Sequence, residues 1–181
     1  MLMRRAVFLD RDGVLNSAVV RQGVPYPPAG PDEVEITEGA PGALAALKAA
    51  GFLLIVVTNQ PDVARGTARR EIVESMNARV AGELGIDDVL VCYHDDQHGC
   101  DCRKPRPGLL ERAARTHSID LARSFMVGDR WKDVEAGRRA GCVTVFIDHG
   151  YAEPGPATPD CSVGSLVEAV QWIVSKVEAG A

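Results

Sequence analysis

Five short apolar runs alternate with longer segments of helical periodicity along this chain, and that alternation constrains the fold more than any other feature. The runs cover residues 6–9, 52–57, 89–92, 124–127 and 143–147. Their shortness and their content of Val, Ile and Phe favour buried strands over helices. Strands that alternate with helices predict right-handed crossovers and a parallel sheet covered on both faces. The predicted fold class is therefore α/β.

The intervening segments carry the spacing and the end signals of helices. Helices are predicted over residues 40–50, 69–84, 108–117, 132–140 and 165–177. Three of them end at Gly51, Gly85 and Gly141, and glycine is a common C-terminal stop. Two long irregular stretches, residues 16–38 and 94–107, follow strands. Ligands of open α/β sheets bind beyond the carboxyl ends of the strands, so both loops are candidates for the functional edge.

Size and charge limit the class of protein. With 181 residues, of which 46% are hydrophobic and 25% charged, the chain fits a single domain over residues 1–181. The net charge of −5 argues against nucleic acid or an anionic membrane as a partner, because both favour a basic face. No apolar stretch suits a signal peptide or a membrane span. We therefore expect a cytoplasmic monomer without a membrane partner.

Polar side chains follow the predicted strands at the edge where their carboxyl ends meet. The four groups are Asp10-Arg11-Asp12-Gly13, Thr58-Asn59-Gln60, Arg103-Lys104-Pro105 and Gly128-Asp129-Arg130-Trp131-Lys132-Asp133. A single aspartate at a strand end is often only a turn or a cap. Four polar groups at one edge of a sheet converge in space, and their chemistry is that of phosphoryl transfer.

The aspartates supply the metal ligands and the nucleophile of that chemistry. Asp10 and Asp129 offer hard oxygen ligands for Mg²⁺, which prefers one or two carboxylates plus water and phosphate oxygens. Asp10 can also attack phosphorus and form an aspartyl-phosphate. Asp12 can donate a proton to the leaving alkoxide and then activate water. That role requires a pKa above the ordinary value of about 3.9, through burial or the neighbouring carboxylates.

Cations and neutral donors complete the predicted site. Lys104, together with the metal, would neutralise charge on the equatorial phosphate oxygens. Thr58 and Asn59 would donate hydrogen bonds to the same group. A small phosphorylated substrate is therefore predicted.

Three cysteines and one histidine lie within eleven residues. Cys92 and His94 are two apart, as are Cys100 and Cys102. In an extended chain residues i and i+2 point the same way, so each pair can bind one ion. Three sulfurs and one nitrogen describe a closed, structural Zn²⁺ site. We predict that zinc orders the loop over about residues 92–102 and thereby positions Arg103 and Lys104.

The motifs FLDRDGVLN, VTNQ, CRKPRPG and MVGDRWKD resemble the four motifs of the haloacid-dehalogenase-like (HAD) phosphohydrolases. The resemblance runs from Val7 to about Ile147. It implies a Rossmann-like three-layer fold with a central parallel sheet, and the lack of a large insertion implies that no cap domain is present. The last motif also holds Asp133, for which the resemblance implies a role in supporting the site.

The resemblance implies a role for each of the other matched residues. Asp10 would be the nucleophile, Asp12 the general acid and base, and Thr58 and Lys104 the phosphate ligands. Mg²⁺ would be held by Asp10, the main-chain carbonyl of Asp12 and Asp129.

The zinc loop narrows the resemblance to the capless HAD-IIIA subgroup that contains D-glycero-D-manno-heptose-1,7-bisphosphate 7-phosphatases and histidinol-phosphate phosphatases. The expected reaction is removal of the 7-phosphate of the heptose bisphosphate. Pro61-Asp62-Val63 departs from the subgroup's usual Ser-Gly-Ile, at a place where substrate contacts are expected. Candidate substrate contacts are Arg21, Asn59, Gln60, Arg103 and Arg130. Arg65 is interpreted as a surface residue.

Three other functions remain open. Histidinol phosphate would suit an acidic subsite, which Asp95, Asp96 or Asp101 could supply. A signalling receiver also phosphorylates an aspartate at a strand end, but it lacks an equivalent of Asp12 and has no zinc loop. A zinc-stabilised interaction module with a degenerate site conflicts with the intact set of carboxylates.

Overall fold

The computed structural model describes residues 3–180, and a six-stranded parallel sheet forms its centre. Within those residues the strands are β1 (Arg5–Leu9), β2 (Val19–Arg21), β3 (Val24–Tyr26), β4 (Phe52–Asn59), β5 (Asp88–Cys92), β6 (Phe125–Gly128), β7 (Val143–Ile147) and β8 (Cys161–Val163). The sheet has the order β5-β4-β1-β6-β7-β8. Ranked by their order along the chain, its strands read 3-2-1-4-5-6, which is the Rossmann arrangement. The predicted α/β class is confirmed.

Strand β1 lies at the middle of the sheet. Its Val7 is in register with Leu54 of β4 on one side and with Phe125 of β6 on the other. The strand order reverses between β1 and β6, and such a reversal opens a crevice at the carboxyl ends of the two strands. The chain segments that follow β1 and β6 therefore face each other across that crevice.

Helices cover both faces of the sheet. They are α1 (Ala40–Ala49), α2 (Arg70–Leu84), α3 (Gly108–His117), α4 (Trp131–Ala140) and α5 (Leu166–Glu178). One hydrophobic cluster joins α1, α2 and α5 to one face of the sheet, and a second joins α3 and α4 to the other face. Side chains of β1 alternate between the two clusters, which explains why a strand buried on both faces reads as a continuous apolar run. The result is three layers.

Two elements have no counterpart in the sequence prediction. The first is the antiparallel hairpin of β2 and β3, which lies in the loop predicted over residues 16–38. The second is the edge strand β8, which begins at Cys161, a residue placed by sequence in a Pro-rich connection. Between β1 and α1 the described chain contains only this hairpin and a short 3₁₀ turn, so it carries no cap domain.

Among residues 3–180, none of the helices combines the length and the apolar character that crossing a membrane requires.

Candidate active site

A cavity of about 310 Å³ opens at the carboxyl edge of the sheet, above the crevice between β1 and β6. The predicted site residues that line it are Asp10, Asp12, Thr58, Asn59, Gln60, Arg103, Lys104, Asp129, Arg130 and Asp133. These residues come from four separate segments of the chain. The convergence follows from the parallel sheet, because each segment leaves a strand or enters a helix at the same edge.

Lys104 lies at the floor of this cavity between two carboxylates. Its Nζ is 2.9 Å from Oδ1 of Asp10 and 2.7 Å from Oδ1 of Asp133, and it donates to the carbonyl of Val57 at 2.7 Å. Burial by itself would lower the pKa of Lys104, but the charges of Asp10 and Asp133 outweigh that effect and raise it. The ammonium group is therefore charged at neutral pH.

Three aspartates, Asp10, Asp129 and Asp133, form what we call the aspartate cluster. One carboxylate oxygen from each lies within 4.8 Å of the others. Both carboxylate oxygens of Asp129 are buried and have no hydrogen-bond partner within the described chain. A buried carboxylate without a partner is costly unless a cation or a donor compensates it. This cluster has the ligands of a site for a hard divalent cation.

Burial perturbs the acids of the aspartate cluster. It raises the pKa of Asp10 to about 6 against the opposing charge of Lys104, and the nearby Asp133 and Asp12 contribute to the rise. Burial also raises the pKa of Asp129 well above its usual range, with the charges of Asp10 and Asp133 adding to the effect. The site thus concentrates negative charge that a bound cation would offset.

Gly13 allows the loop after β1 to approach Asp129 closely. Its φ of +83° lies in the left-handed region that favours glycine. A Cβ atom at this position would lie 1.9 Å from Oδ2 of Asp129, so no other residue fits without displacing that carboxylate. The carbonyl of Gly13 accepts a hydrogen bond from Nε2 of His149 at 2.7 Å.

Asn59 and Gln60 both line the cavity, but their side chains already have partners in the protein. The amide of Asn59 donates to the main-chain carbonyl of Lys104 at 3.0 Å and accepts from its main-chain N–H at 3.1 Å. Nε2 of Gln60 donates to Oδ2 of Asp12 and to Oγ1 of Thr58, each at 2.9 Å. Asn59 therefore holds the segment that carries Lys104, and Gln60 joins Asp12 to Thr58.

Arg21 and Arg130, both candidate substrate contacts from the sequence, have partners within the protein. Arg21 is not among the residues that line the cavity, and its guanidinium stacks on the ring of Tyr26, 5.5 Å from the centroid. Arg130 lines the cavity, but its guanidinium forms an ion pair with Glu153. Glu153 lies 23 residues further along, so the local sequence gives no indication of that partner.

The outer wall of the cavity carries charged residues, of which Arg65 and Lys132 were not among the predicted substrate contacts. Arg65, interpreted from the sequence as a surface residue, is exposed and lies on this wall, where it pairs with Asp62 at 3.4 Å. Arg103 pairs with Asp96 at 2.8 Å. Lys132 also lines the wall and forms no ion pair within residues 3–180. Lys132 is the second residue of α4, at the end of the helix that faces the cavity. Its position at the start of a predicted helix, directly after the Asp129 segment, could have identified it as a cavity residue.

Cys92, His94, Cys100 and Cys102 come together at the end of β5, and we call them the cysteine cluster. Sγ of Cys102 lies 3.1 Å from that of Cys92 and 3.4 Å from that of Cys100, and Nδ1 of His94 is 3.4 Å from Cys102. These separations are too long for a disulfide bond. A tetrahedral zinc with Zn–S of about 2.3 Å puts its sulfurs about 3.8 Å apart, so the donors are close to that arrangement.

The cysteine cluster contacts the segment that carries the cavity cations. Nη1 of Arg103 donates to the carbonyl of His94 at 3.4 Å, and Arg106 donates to the carbonyl of Cys100. Burial raises the pKa of the Cys92 thiol, so a metal would have to displace its proton. Because Arg103 contacts the main chain of this loop, a well-defined loop conformation also fixes the position of Arg103.

Three comparisons with known proteins agree with this site. Residues 101–169 match the HAD-hydrolase-like family model. A D-glycero-beta-D-manno-heptose-1,7-bisphosphate 7-phosphatase from Haemophilus ducreyi is 35% identical, over 94% of this chain and 98% of that protein. The enzyme of that name from Escherichia coli K12 is 34% identical, over 95% of this chain and 89% of that protein.

Solved structures point the same way. The D,D-heptose 1,7-bisphosphate phosphatase of B. bronchiseptica, complexed with magnesium and phosphate, superposes with a TM-score of 0.78 at 26% identity, over 95% of this chain and 99% of that one. A putative HAD-like phosphatase from Mesorhizobium loti has a TM-score of 0.76 at 28% identity, over 98% and 87% of the two chains. With relatives of this identity along nearly its whole length, the chain belongs to the HAD phosphatases, in the group of the heptose-bisphosphate phosphatases.

Proposed function

We propose that this chain removes the 7-phosphate of D-glycero-D-manno-heptose 1,7-bisphosphate, with Asp10 as the nucleophile. The observation that carries the proposal is the buried arrangement of Asp10, Lys104 and Asp129 at the floor of the cavity. It matches the chemistry that the names of the relatives describe. The proposal covers residues 1–181 as one phosphatase domain that acts as a cytoplasmic monomer.

Asp10 would attack phosphorus in line with the sugar alkoxide and form an aspartyl-phosphate, which splits one difficult displacement into two. Asp12, at the cavity wall, would give a proton to the leaving alkoxide and take one from the attacking water. Lys104 would hold the phosphate through its ammonium group, and Thr58 would donate its hydroxyl. Asp133 keeps Lys104 at the floor of the cavity, together with the side-chain amide of Asn59, which contacts the main chain of Lys104.

Asp10, Asp129 and the main-chain carbonyl of Asp12 would hold Mg²⁺. The partnerless, buried oxygens of Asp129 support this choice. When bound, the ion would neutralise charge on the phosphate and on the surrounding carboxylates. The cysteine cluster would hold Zn²⁺ with all four positions filled by protein, which suits a structural role.

A second phosphate on the substrate fits the outer wall of the cavity. Arg103, Arg65 and Lys132 supply three cations there, against the acids Asp96 and Asp62. Each of the two acids is paired with an arginine, and Lys132 is the additional cation. The wall therefore has a net positive charge, which suits an anionic group. Histidinol phosphate, whose amine is cationic, is the second candidate because Asp62 and Asp96 also face the cavity.

Phosphate release from the two substrates at equal concentration tests the choice. We expect the heptose bisphosphate to react faster, and Arg103→Met to raise its KM while leaving the KM for histidinol phosphate unchanged. A strong preference for histidinol phosphate would contradict the proposal. Stable labelling of Asp10, without turnover of any phosphomonoester, would instead indicate a receiver. Assays with both anomers of the bisphosphate would then define the specificity further.

A further inference from the structure

Arg11 is a fully buried arginine with no role in the chemistry described so far. It lies between Asp10 and Asp12, its exposure is 1%, and it does not line the cavity. Burying a guanidinium group is costly unless its donors are satisfied and its charge is balanced. The contacts that Arg11 makes therefore indicate why a charged residue is placed there.

The partner that balances this charge is Asp12. Nε of Arg11 donates to Oδ1 of Asp12 at 3.0 Å, and Nη2 donates to Oδ2 at 2.8 Å. This two-point contact fixes the plane of the carboxylate as well as its distance, which a single hydrogen bond would not do. Lysine could not reproduce it, because an ammonium group is a point charge without a planar fork.

Neutral amides complete the shell around Asp12. Nδ2 of Asn16 donates to Oδ1 at 3.0 Å, and Nε2 of Gln60 donates to Oδ2 at 2.9 Å. Each carboxylate oxygen thus accepts two hydrogen bonds. The side chain is still 17% exposed and lines the cavity, so these contacts orient a group that faces the substrate space.

A residue of α2 holds Arg11 in turn. Nη1 of Arg11 donates to Oδ1 of Asn77 at 2.7 Å, and Asn77 is buried. Asn77 is 66 residues away in sequence, so the contact depends on the packing of α2 against the loop after β1. The chain Asn77–Arg11–Asp12 connects a helix of the scaffold to the cavity.

We propose that Arg11 is a positioning residue that orients the ionised Asp12 carboxylate to take the proton of the attacking water, and that Asn77 fixes Arg11 for this task. The inference rests on the function proposed above, in which Asp12 acts as acid and base. Proton transfer needs the donor and the acceptor within hydrogen-bond reach in a defined orientation. A side chain held on both oxygens meets that requirement better than one free to rotate.

A double-mutant cycle on the full-length protein, with Mg²⁺ and Zn²⁺ supplied, tests the proposal. Arg11→Lys, Asp12→Asn and the double variant are compared through kcat and KM with p-nitrophenyl phosphate. Asp12→Asn should cost about 10²- to 10⁴-fold in kcat, the usual contribution of acid–base catalysis. Arg11→Lys should lower kcat about 10-fold and change KM less than about 2-fold, because Arg11 does not reach the cavity.

The decisive result is the effect of Arg11→Lys in the Asp12→Asn background. If Arg11 acts through Asp12, Arg11→Lys should lower kcat less than about 2-fold in the Asp12→Asn background. Such a result would be a strong departure from additivity. Equal losses in both backgrounds, or a rise in KM at constant kcat, would overturn the positioning role alone. Full activity of Asp12→Asn would overturn the acid–base role, and the positioning role with it.

Two further variants keep the test valid if Arg11→Lys does not fold. Asn77→Ala leaves Arg11 in place but removes the acceptor of Nη1, and it should lower kcat about 3-fold, again only when Asp12 is present. Arg5→Lys is the matched control, because Arg5 donates to the carbonyl of Ala50 away from the cavity. Arg5→Lys should leave kcat unchanged. An additive effect of Asn77→Ala in the Asp12→Asn background would contradict the proposal.

Discussion

The aspartate cluster and the cysteine cluster are both candidate metal sites, but the chain builds them in opposite ways. Asp10, Asp129 and Asp133 come from two segments far apart in sequence, and Asp129 and Asp133 are almost fully buried. The cysteine cluster comes from one stretch of eleven residues, with His94 exposed and two thiols half-buried. One is assembled by the sheet, and the other by a local loop.

This difference in construction predicts different contributions of the two metals to the fold. The aspartate cluster lies directly after β1 and β6 and in the first turn of α4, so regular elements of the scaffold hold its donors together. The loop of the cysteine cluster has little regular structure of its own, and binding of a metal there would supply folding free energy. We therefore expect loss of Mg²⁺ to stop the chemistry and loss of Zn²⁺ to loosen the structure.

The largest expected effect is on turnover, from a change in the aspartate cluster. Asp10→Asn should reduce kcat by at least about 10⁴-fold, since it removes the nucleophile itself. Phosphate release measures the rate, and bound zinc and circular dichroism serve as controls for folding. A folded, zinc-loaded variant that turns over at the parent's rate would refute the mechanism.

The second effect is on stability, from a change in the cysteine cluster. Cys100→Ser should abolish stoichiometric zinc binding and cost about 3 kcal/mol of unfolding free energy through loss of the metal. For a chain of this size that corresponds to a fall in Tm of about 6–12 °C. We also expect kcat to fall about 10-fold, because the loop positions Arg103 and Lys104.

Cys161→Ser is the matched control for that prediction. Cys161 is half-buried at the start of the edge strand β8 and belongs to no donor group within the described residues. Its substitution should change Tm by less than about 2 °C and leave the zinc content intact. If Cys100→Ser behaved like Cys161→Ser, the cysteine cluster would not be a zinc site.

A smaller effect is expected on the pH dependence of stability, through Asp10 of the aspartate cluster. The pKa of Asp10 is raised from 3.8 to about 6 in the folded protein, so the folded state holds a proton that the unfolded state has lost. The stabilising contribution is present below about pH 4 and is lost as pH rises through about 6. Without Mg²⁺, Asp10→Asn should therefore be more stable than the parent above pH 6, by about 3 kcal/mol, and equal to it near pH 4.

Thermal unfolding in Mg²⁺-free buffer between pH 4 and 8 measures this difference. Added Mg²⁺ should stabilise the parent and not the variant, which would reduce the difference in unfolding free energy between them. A variant less stable than the parent at every pH would show that the carboxylate stabilises the fold by itself.

The smallest effect concerns the hairpin. Arg21→Ala should change KM for the heptose bisphosphate less than about 2-fold, because Arg21 stacks on Tyr26 outside the cavity. Arg103→Ala provides the contrast, since Arg103 lines the cavity wall. A KM for Arg21→Ala as high as that of Arg103→Ala would place the hairpin over the bound substrate.

Sequence patterns predicted the elements that have long periodic signals. All five predicted helices and all five predicted strands are present at nearly the predicted bounds, and these strands are five of the six in the central sheet. The hairpin of β2 and β3 and the strand β8 were missed because each strand spans only three residues, too few for an alternating pattern to stand out. Their pairing comes from neighbours brought close by the rest of the fold.

The layered α/β fold, the edge where the polar groups meet and the four donors of the cysteine cluster could all be predicted from the amino-acid sequence. These are properties of local spacing and of the parallel sheet, which carries every strand end to one edge. Three contacts could not be predicted in this way and depend on the packing of the folded chain: Asn59 with Lys104, Glu153 with Arg130, and Asn77 with Arg11. Those partners are separated by 23 to 66 residues, and a side chain's choice among possible partners depends on how loops and helices pack.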